Sequence, residues 1–185
     1  DHDLAMSTLA ARVAASARAH PYAVVAAGLA ALDGALHGAA SVAAYQMLRE
    51  TMMPGRRAAD VVGETLRTGQ RLPGFGHLVY ARRDPRADAL LSMVSGVERF
   101  GPALAAAGEI IGVVADRTGL FANIDLALGV LAIGAGLGAE AGEAIFAVAR
   151  TAGWIAHALE AYDAQPARLR PVARYTGAEP GSSPG

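Results

Sequence analysis

The segment Leu72-Pro73-Gly74-Phe75-Gly76-His77-Leu78-Val79-Tyr80, followed three residues later by Asp84-Pro85-Arg86, decides how the rest of the chain is read. It is a glycine-broken loop that delivers a single histidine just ahead of a new helix. Gly74 and Gly76 permit backbone angles that a Cβ resists, and they let a ligand approach the main chain. Pro85 suits the first helical position, where its missing N–H costs nothing, and Asp84 before it is a natural N-cap. Arg86 then falls in the first turn. His77 and Arg86 are thereby held near each other on rigid supports, a pairing that suits a small anion one of whose oxygens must receive a proton. Gly-x-Gly-His alone describes an ordinary loop histidine, so the surrounding chain has to carry the reading.

Outward from this loop, apolar spacing predicts helices on both sides. Upstream lie residues 3–18, with Leu4, Leu9 and Val13 on one apolar face, and residues 22–33, apolar enough to be buried on most sides. His37-Gly38 opens the helix AASVAAYQMLRET, which Met53-Pro54-Gly55 closes, and a short amphipathic helix spans 57–68 with Val61, Val62 and Leu66. Downstream, helices are expected over 85–99 with Leu90, Leu91 and Val94 inward, over 103–117, over 124–135 behind Asn123 as N-cap, and over about 139–162 before Pro166. Beyond Arg170-Pro171 the chain reads as irregular, and the tail 178–185 has a disorder-prone composition. No segment alternates as a strand should, and no repeat of fixed period occurs. The expected class is all-α, with helix pairs joined by Gly and Pro turns.

Composition narrows the chemistry. At 185 residues the chain can bury one good core or two small lobes. No apolar run reaches membrane-spanning length, and Asp1-His2-Asp3 does not read as a secretory leader. Cysteine is absent, which excludes disulfides and thiolate metal sites without setting the compartment; the cytoplasm is the expectation. The formal charge of −1 offers no basic excess for a phosphate backbone, so nucleic acid is not an expected partner of this segment. All 16 basic residues are arginine. An anion site here must be built from guanidinium forks, which grip carboxylates through two parallel hydrogen bonds.

Four further features bear on function. His37 lies at a helix start, where the neutral imidazole is favoured over the cation; a neutral imidazole can donate to a carbonyl, as in the well-known case of triosephosphate isomerase, and the plain alternative is a capping or core histidine. Asp125 is the single carboxylate between Asp116 and Glu140 and has Phe121, Ile124, Leu126 and Leu128 for company. It is either a dipole partner at a helix start or a general base with restricted water access. Arg150 sits in the otherwise apolar run IFAVARTAGWIAHALE and needs an anion if buried, and His157 shares its face. Arg170 by position is an ordinary solvated charge. The histidines at 2, 20, 37, 77 and 157 form no i,i+4 pair, so no metal site is expected, and there is no phosphate loop, dinucleotide fingerprint or Gly-x-Ser-x-Gly elbow.

Several motifs occur in a fixed order: Asp1-His2 with the Ser-Thr-x-Ala-Ala-Arg run, Leu36-His37-Gly38, Gly74-Phe75-Gly76-His77, Asp84-Pro85-Arg86, Asn123-Ile124-Asp125, Ala149-Arg150-Thr151 through Gly153-Trp154-Ile155-Ala156-His157, and Arg170-Pro171 through Tyr175-Thr176-Gly177. Together they resemble the carboxy-terminal half of the citrate synthase family, from residue 1 to about 177. The resemblance implies an all-α, two-domain fold, with residues 1–37 and 135–185 in the large domain and 38–134 in the small domain. It implies condensation of acetyl-CoA with oxaloacetate followed by thioester hydrolysis, in a homodimer, with the acyl-CoA as co-substrate and no permanently bound cofactor.

By the same resemblance Asp125 takes a proton from the acetyl methyl group, His37 hydrogen-bonds the thioester oxygen, and His77 polarises and protonates the oxaloacetate carbonyl. His2, Arg86 and Arg150 match oxaloacetate-holding positions. Arg170 matches an arginine that reaches the partner's site, and Leu72, Pro73, Gly74 and Gly76 match a loop that contacts CoA. The chain departs from the family at Gly38-Ala39-Ala40-Ser41, where Gly-Gly-Ala-Asn is usual, and at Leu78, where arginine is usual; Arg82 and Arg83 stand near Tyr80, where lysine is common. These departures resemble a bacterial subgroup with an amino-terminal helix-turn-helix. They leave open 2-methylcitrate synthase using propionyl-CoA, a metabolite-binding sensor, and an inactive helical remnant, against which the joint retention of His37, His77 and Asp125 speaks.

Overall fold

A computed structural model describes residues 4–34, 37–38, 40–165 and 172–177. These residues form eight α-helices: α1 (Met6–Ser16), α2 (Pro21–Leu32), α3 (Ala40–Thr51), α4 (Ala58–Arg67), α5 (Pro85–Val94), α6 (Gly101–Thr118), α7 (Ile124–Gly134) and α8 (Ala141–Asp163). A single 3₁₀ turn, Glu98–Phe100, precedes α6. Among the described residues the only β-pairing is one isolated antiparallel bridge, Phe75 to Ala122. The all-α class read from the sequence is what the structure shows.

Local chemistry sets the helix ends. Asp84 caps α5 by accepting from the Arg86 N–H at 3.0 Å, with Pro85 in the first helical turn, and Asn123 caps α7 by accepting from the Asp125 N–H at 3.0 Å. The helix expected over 85–99 stops earlier, at Val94. There Ser95 turns its hydroxyl back to the Ser92 carbonyl at 2.8 Å, and Gly96 offers no side chain to continue the packing.

Apolar residues gather into two clusters. One joins α3, α4, α6 and α7 around Leu48, Val62, Ile110, Val114, Leu126 and Val130, and takes in Leu72 and Phe75 from the loop. The other joins α1, α2 and α8 around Trp154, with Ala11, Ala15, Val24, Leu32 and Ala158. Each fully buried Leu, Ile or Val side chain contributes about 1.5–3 kcal/mol by leaving water. Gly28 of α2 is required by this packing, because an added Cβ would lie 2.6 Å from the Trp154 ring.

Two expectations about the first helices are corrected. Leu4, Leu9 and Val13 of the predicted apolar face are 48%, 39% and 42% exposed, and the buried face of α1 is instead Ser7, Thr8, Ala11 and Ala15. Small residues let α1 lie close to α2 and α8, and the two hydroxyls have partners on neighbouring elements. Helix α2 buries only Val24, Gly28 and Leu32, one face rather than most of its surface, and leaves Tyr22 and Leu29 exposed. Helices α1 and α8 run side by side in the same direction. Thr8 pairs with Arg150, Arg12 with His157 at 2.8 Å, and Arg18 with the carbonyls of Ala161, Tyr162 and Ala164.

Candidate active site

The loop read first is stitched to the start of α7. Gly76 N–H donates to the Phe121 carbonyl at 2.8 Å, Asn123 N–H to the Gly74 carbonyl at 2.9 Å, and the Asn123 side-chain amide to the Gly76 carbonyl at 2.8 Å. Gly74 and Gly76 have φ of 79° and 73°, in the left-handed region that favours glycine. At Gly74 an added Cβ would also sit 2.9 Å from the Leu126 Cβ. Leu72, Gly74 and Phe75 are buried, while Pro73, Gly76 and His77 are partly exposed. The seam therefore fixes His77 relative to Asp125, which lies in the first turn of α7.

His77 Nδ1 accepts from the backbone N–H of Val79 at 3.0 Å and of Tyr80 at 3.2 Å. In the neutral ring the proton is thus on Nε2, the donor nitrogen. The Tyr80 ring packs at 4.7 Å from the imidazole, and the Arg86 guanidinium lies over the same tyrosine at 5.2 Å. The proximity of His77 and Arg86 expected from the loop is thus mediated by an aromatic ring.

Asp84 is fully buried and does more than cap α5. It accepts two hydrogen bonds from the Arg86 side chain, at 2.9 and 2.7 Å, and one from the Ile124 N–H at 3.0 Å. Burial alone would raise its pKa; Arg86 and the two backbone donors outweigh that, and the carboxyl stays below its ordinary value. One carboxylate thus aims the guanidinium and ties the start of α5 to the start of α7.

Asp125 has the opposite environment. Burial pushes its pKa up to about 6, Arg86 opposes the rise and Asp84 adds to it. A carboxyl poised there is basic enough to take a proton near neutral pH.

His37 lies between α2 and α3. It lies in a turn, with its N–H bonded to the Gly34 carbonyl at 2.8 Å and α3 beginning at Ala40. Its Nε2 is 2.8 Å from the Ser7 hydroxyl. Its pKa is lowered by burial first and by the positive Arg150 second. The neutral imidazole expected from a helix dipole therefore has these two causes. Arg150 of α8 donates to the Thr8 hydroxyl at 3.4 Å and lies over the Phe146 ring at 5.0 Å. Its own pKa is lowered by burial and by Arg86, so the two guanidinium groups feel each other. Mutual influence thus runs from His37 to Arg150, from Arg150 to Arg86, and from Arg86 to Asp125.

His2 and Arg170 lie outside the described residues. His157, on the Arg150 face, bonds Arg12 and approaches Glu160 instead of joining this set. The sequence reading missed Ser7, Thr8 and Tyr80 and saw in Asp84 only a cap. Adjacent hydroxyls in the alanine-rich run of α1 were the available signal for the first two. Among the described residues no His, Cys, Asp and Glu cluster fits a metal ion, and no helix is long and apolar enough to cross a membrane.

Comparison with known proteins gives the family and the fold. Residues 1–172 match the model of the citrate synthase C-terminal domain. A citrate synthase of Haloferax volcanii is 35% identical over 183 residues, covering 96% of this chain and 47% of the relative. The ternary complex of carboxymethyl coenzyme A and oxaloacetate with the citrate synthase of Thermoplasma acidophilum superposes with a TM-score of 0.84 at 31% identity, covering 100% of this chain and 51% of that one. The citryl-CoA lyase of Hydrogenobacter thermophilus also reaches 0.84, at 30% identity over 100% of this chain and 75% of that one. The chain spans about half the length of the curated relatives it matches. By family model, identity and fold together, it belongs to the citrate synthase family.

Proposed function

We propose that this chain carries the chemistry-bearing half of an acyltransferase that condenses acetyl-CoA with oxaloacetate. The carboxylate of Asp125 removes a proton from the acetyl methyl group. The neutral His37 ring donates to the thioester oxygen and stabilises the enol as it forms. The enol carbon attacks the keto carbon of oxaloacetate, and His77 gives its Nε2 proton to the oxygen that becomes the citryl hydroxyl. Water then cleaves the thioester and releases CoA. Arg86 and Arg150 hold the oxaloacetate carboxylates, with His2, and with Arg170 supplied across a homodimer. Leu72, Pro73, Gly74 and Gly76 form the backbone against which CoA lies. The two apolar clusters support a division into large-domain segments, 1–37 and 135–185, and a small domain, 38–134.

The observation that carries the reading is electrostatic. A carboxyl held near pH 6 and an imidazole kept neutral are joined through two partly buried guanidinium groups. That combination pairs a base with a neutral hydrogen-bond donor near two cations. The equal similarity to the citryl-CoA lyase structure favours a second reading, in which the same residues run the carbon–carbon step backwards and cleave citryl-CoA to acetyl-CoA and oxaloacetate.

The test is thiol release by the full-length protein with oxaloacetate and acetyl-, propionyl- or butyryl-CoA, beside an arm supplied with citryl-CoA. Release with acetyl-CoA supports the first reading, and preference for propionyl-CoA makes the enzyme a 2-methylcitrate synthase. Acetyl-CoA formation from citryl-CoA without condensation supports the lyase. Saturable oxaloacetate binding with no turnover in any arm refutes both and leaves a metabolite sensor.

A further inference from the structure

We propose that Asp84 is a positioning residue that keeps the Asp125 carboxylate out of an ion pair, and so available as a base, by occupying the donors that would otherwise grip it. Asp84 accepts two bonds from the Arg86 side chain, at 2.9 Å from Nε and 2.7 Å from Nη2, and one from the Ile124 N–H at 3.0 Å. The Asp125 N–H goes to the Asn123 side chain at 3.0 Å. A carboxylate in the first turn of a helix ordinarily gains from such N–H groups and from a nearby arginine, and each donor it gains makes it a weaker base. Here those donors are engaged by other side chains, and among the described residues the ion pair of Arg86 is with Asp84. Asp84 is fully buried and also caps α5 through the Arg86 N–H, so it is fixed in place while it does this.

The charges around Asp125 fit this division of labour. Burial is the main cause that raises its carboxyl, Arg86 opposes the rise and Asp84 adds to it. Both charges come from the start of α5, whose other carboxylate, Asp88, is paired with Arg83 at 2.7 Å. Among the described residues α3, α6, α8 and the 3₁₀ turn, which also pack against α7, bring no charge that acts on Asp125. His77, on the loop stitched to α7, is the titratable ring on that side. Asp84 therefore acts on Asp125 in two ways of one sign. Its own charge disfavours a second carboxylate, and its grip keeps the Arg86 fork engaged elsewhere. Asp84 touches no reacting atom in this scheme; it acts through Arg86 and Asp125.

This inference rests on the role given to Asp125 under the proposed function, so its test has one readout that needs no turnover. Full-length protein carrying 13C at the aspartate carboxyls is titrated as wild type, as Asp84→Asn, and as the double variant Asp84→Asn with Arg86→Gln. Asp125→Asn assigns the signal. Wild-type Asp125 should titrate near a pH of about 6. Asp84→Asn removes the charge and the two-point grip, so Asp125 should titrate at a pH lower by about 1 or more, the effect of an arginine beside a carboxyl. Asp84→Glu reaches the same loss by another route: its carboxyl sits one carbon further out and cannot hold the Arg86 fork and the Ile124 N–H together. In the double variant burial remains and the cation is gone, so the midpoint should return to the wild-type value or above it. The acid limb of kcat/KM for thiol release should move down with the Asp84→Asn midpoint, and the plateau should fall about three- to tenfold because the base is weaker.

An Asp125 midpoint that stays at or above the wild-type value in the Asp84 single variants overturns the proposal. A double variant that titrates as low as Asp84→Asn also overturns it, because Arg86 is then not the agent. A plateau that falls while the acid limb stays in place means that Asp84 is merely structural. If the wild type releases no thiol with oxaloacetate, the functional reading fails, and the carboxyl titration alone decides whether Asp84 keeps Arg86 off Asp125.

Discussion

Replacing Asp125 by asparagine separates two consequences of holding a carboxylate in apolar surroundings. The first is chemical: removing the general base should cut thiol release by about 10²–10⁴-fold while oxaloacetate binding, which falls to Arg86 and Arg150, stays largely intact. The second is energetic. The carboxyl moves from an ordinary 3.8 to about 6 on folding, chiefly through burial. A shift of that size penalises the ionised form in the folded protein by about 3 kcal/mol.

Because the folded state binds this proton more tightly than the unfolded chain, Asp125 does not weaken the fold at low pH. The penalty grows as the pH rises from about 4 towards 6 and is complete above that. Asparagine has the same shape and no charge to desolvate, so the variant should gain on the wild type across that window. Urea unfolding of both full-length proteins between about pH 4.5 and 7.5 measures the gap. A gap that widens towards about 3 kcal/mol at the upper end, with activity lost, is the expected result. A gap that is flat with pH, or near-wild-type thiol release by Asp125→Asn, refutes the reasoning.

Other substitutions probe the rest of the site. Arg150→Leu should weaken oxaloacetate binding in calorimetry by roughly ten- to a hundredfold, since each hydrogen bond to a charged group contributes about 1.5–3 kcal/mol; unchanged affinity removes Arg150 from the site. Asp84→Ala leaves the Arg86 guanidinium without its two-point partner and the Ile124 N–H without an acceptor, so it should destabilise by about 3–5 kcal/mol in urea unfolding. A loss below about 1 kcal/mol would mean that the pair is no more than a surface bridge. Gly74→Ala must accept a φ of 79° and a Cβ 2.9 Å from Leu126, and should cost about 1–3 kcal/mol while loosening the seam beside His77. An unaltered unfolding midpoint would contradict that.

Much of this was legible in the sequence because the decisive signals are local. Caps and breakers, Asp84-Pro85, Asn123 and Gly119, set helix ends within a residue or two of those observed. The glycines of the loop announced a backbone that only glycine adopts easily. The unusual setting of Asp125 and Arg150, each a lone charge in an apolar run, pointed to burial before any coordinates. What escaped was tertiary in origin. The inward face of α1 is its small, partly hydroxylated side, and hydrophobic spacing cannot reveal that Ser7 meets His37 and Thr8 meets Arg150. Nor can it show that Asp84 reaches across to α7, or that a tyrosine three residues past His77 folds back on the imidazole. The apolar sides of α1 and α2 left exposed here looked like core in sequence because periodicity records that a face is apolar, not which partner covers it.

The most direct measurement is a crystal structure of the full-length protein with oxaloacetate and a non-reactive acyl-CoA analogue bound together. The account predicts oxaloacetate carboxylates on Arg86 and Arg150, the keto oxygen within hydrogen-bond reach of His77 Nε2, and the acyl group between His37 and the Asp125 carboxylate. Oxaloacetate bound away from both arginines, or an acyl group out of reach of Asp125, would contradict it.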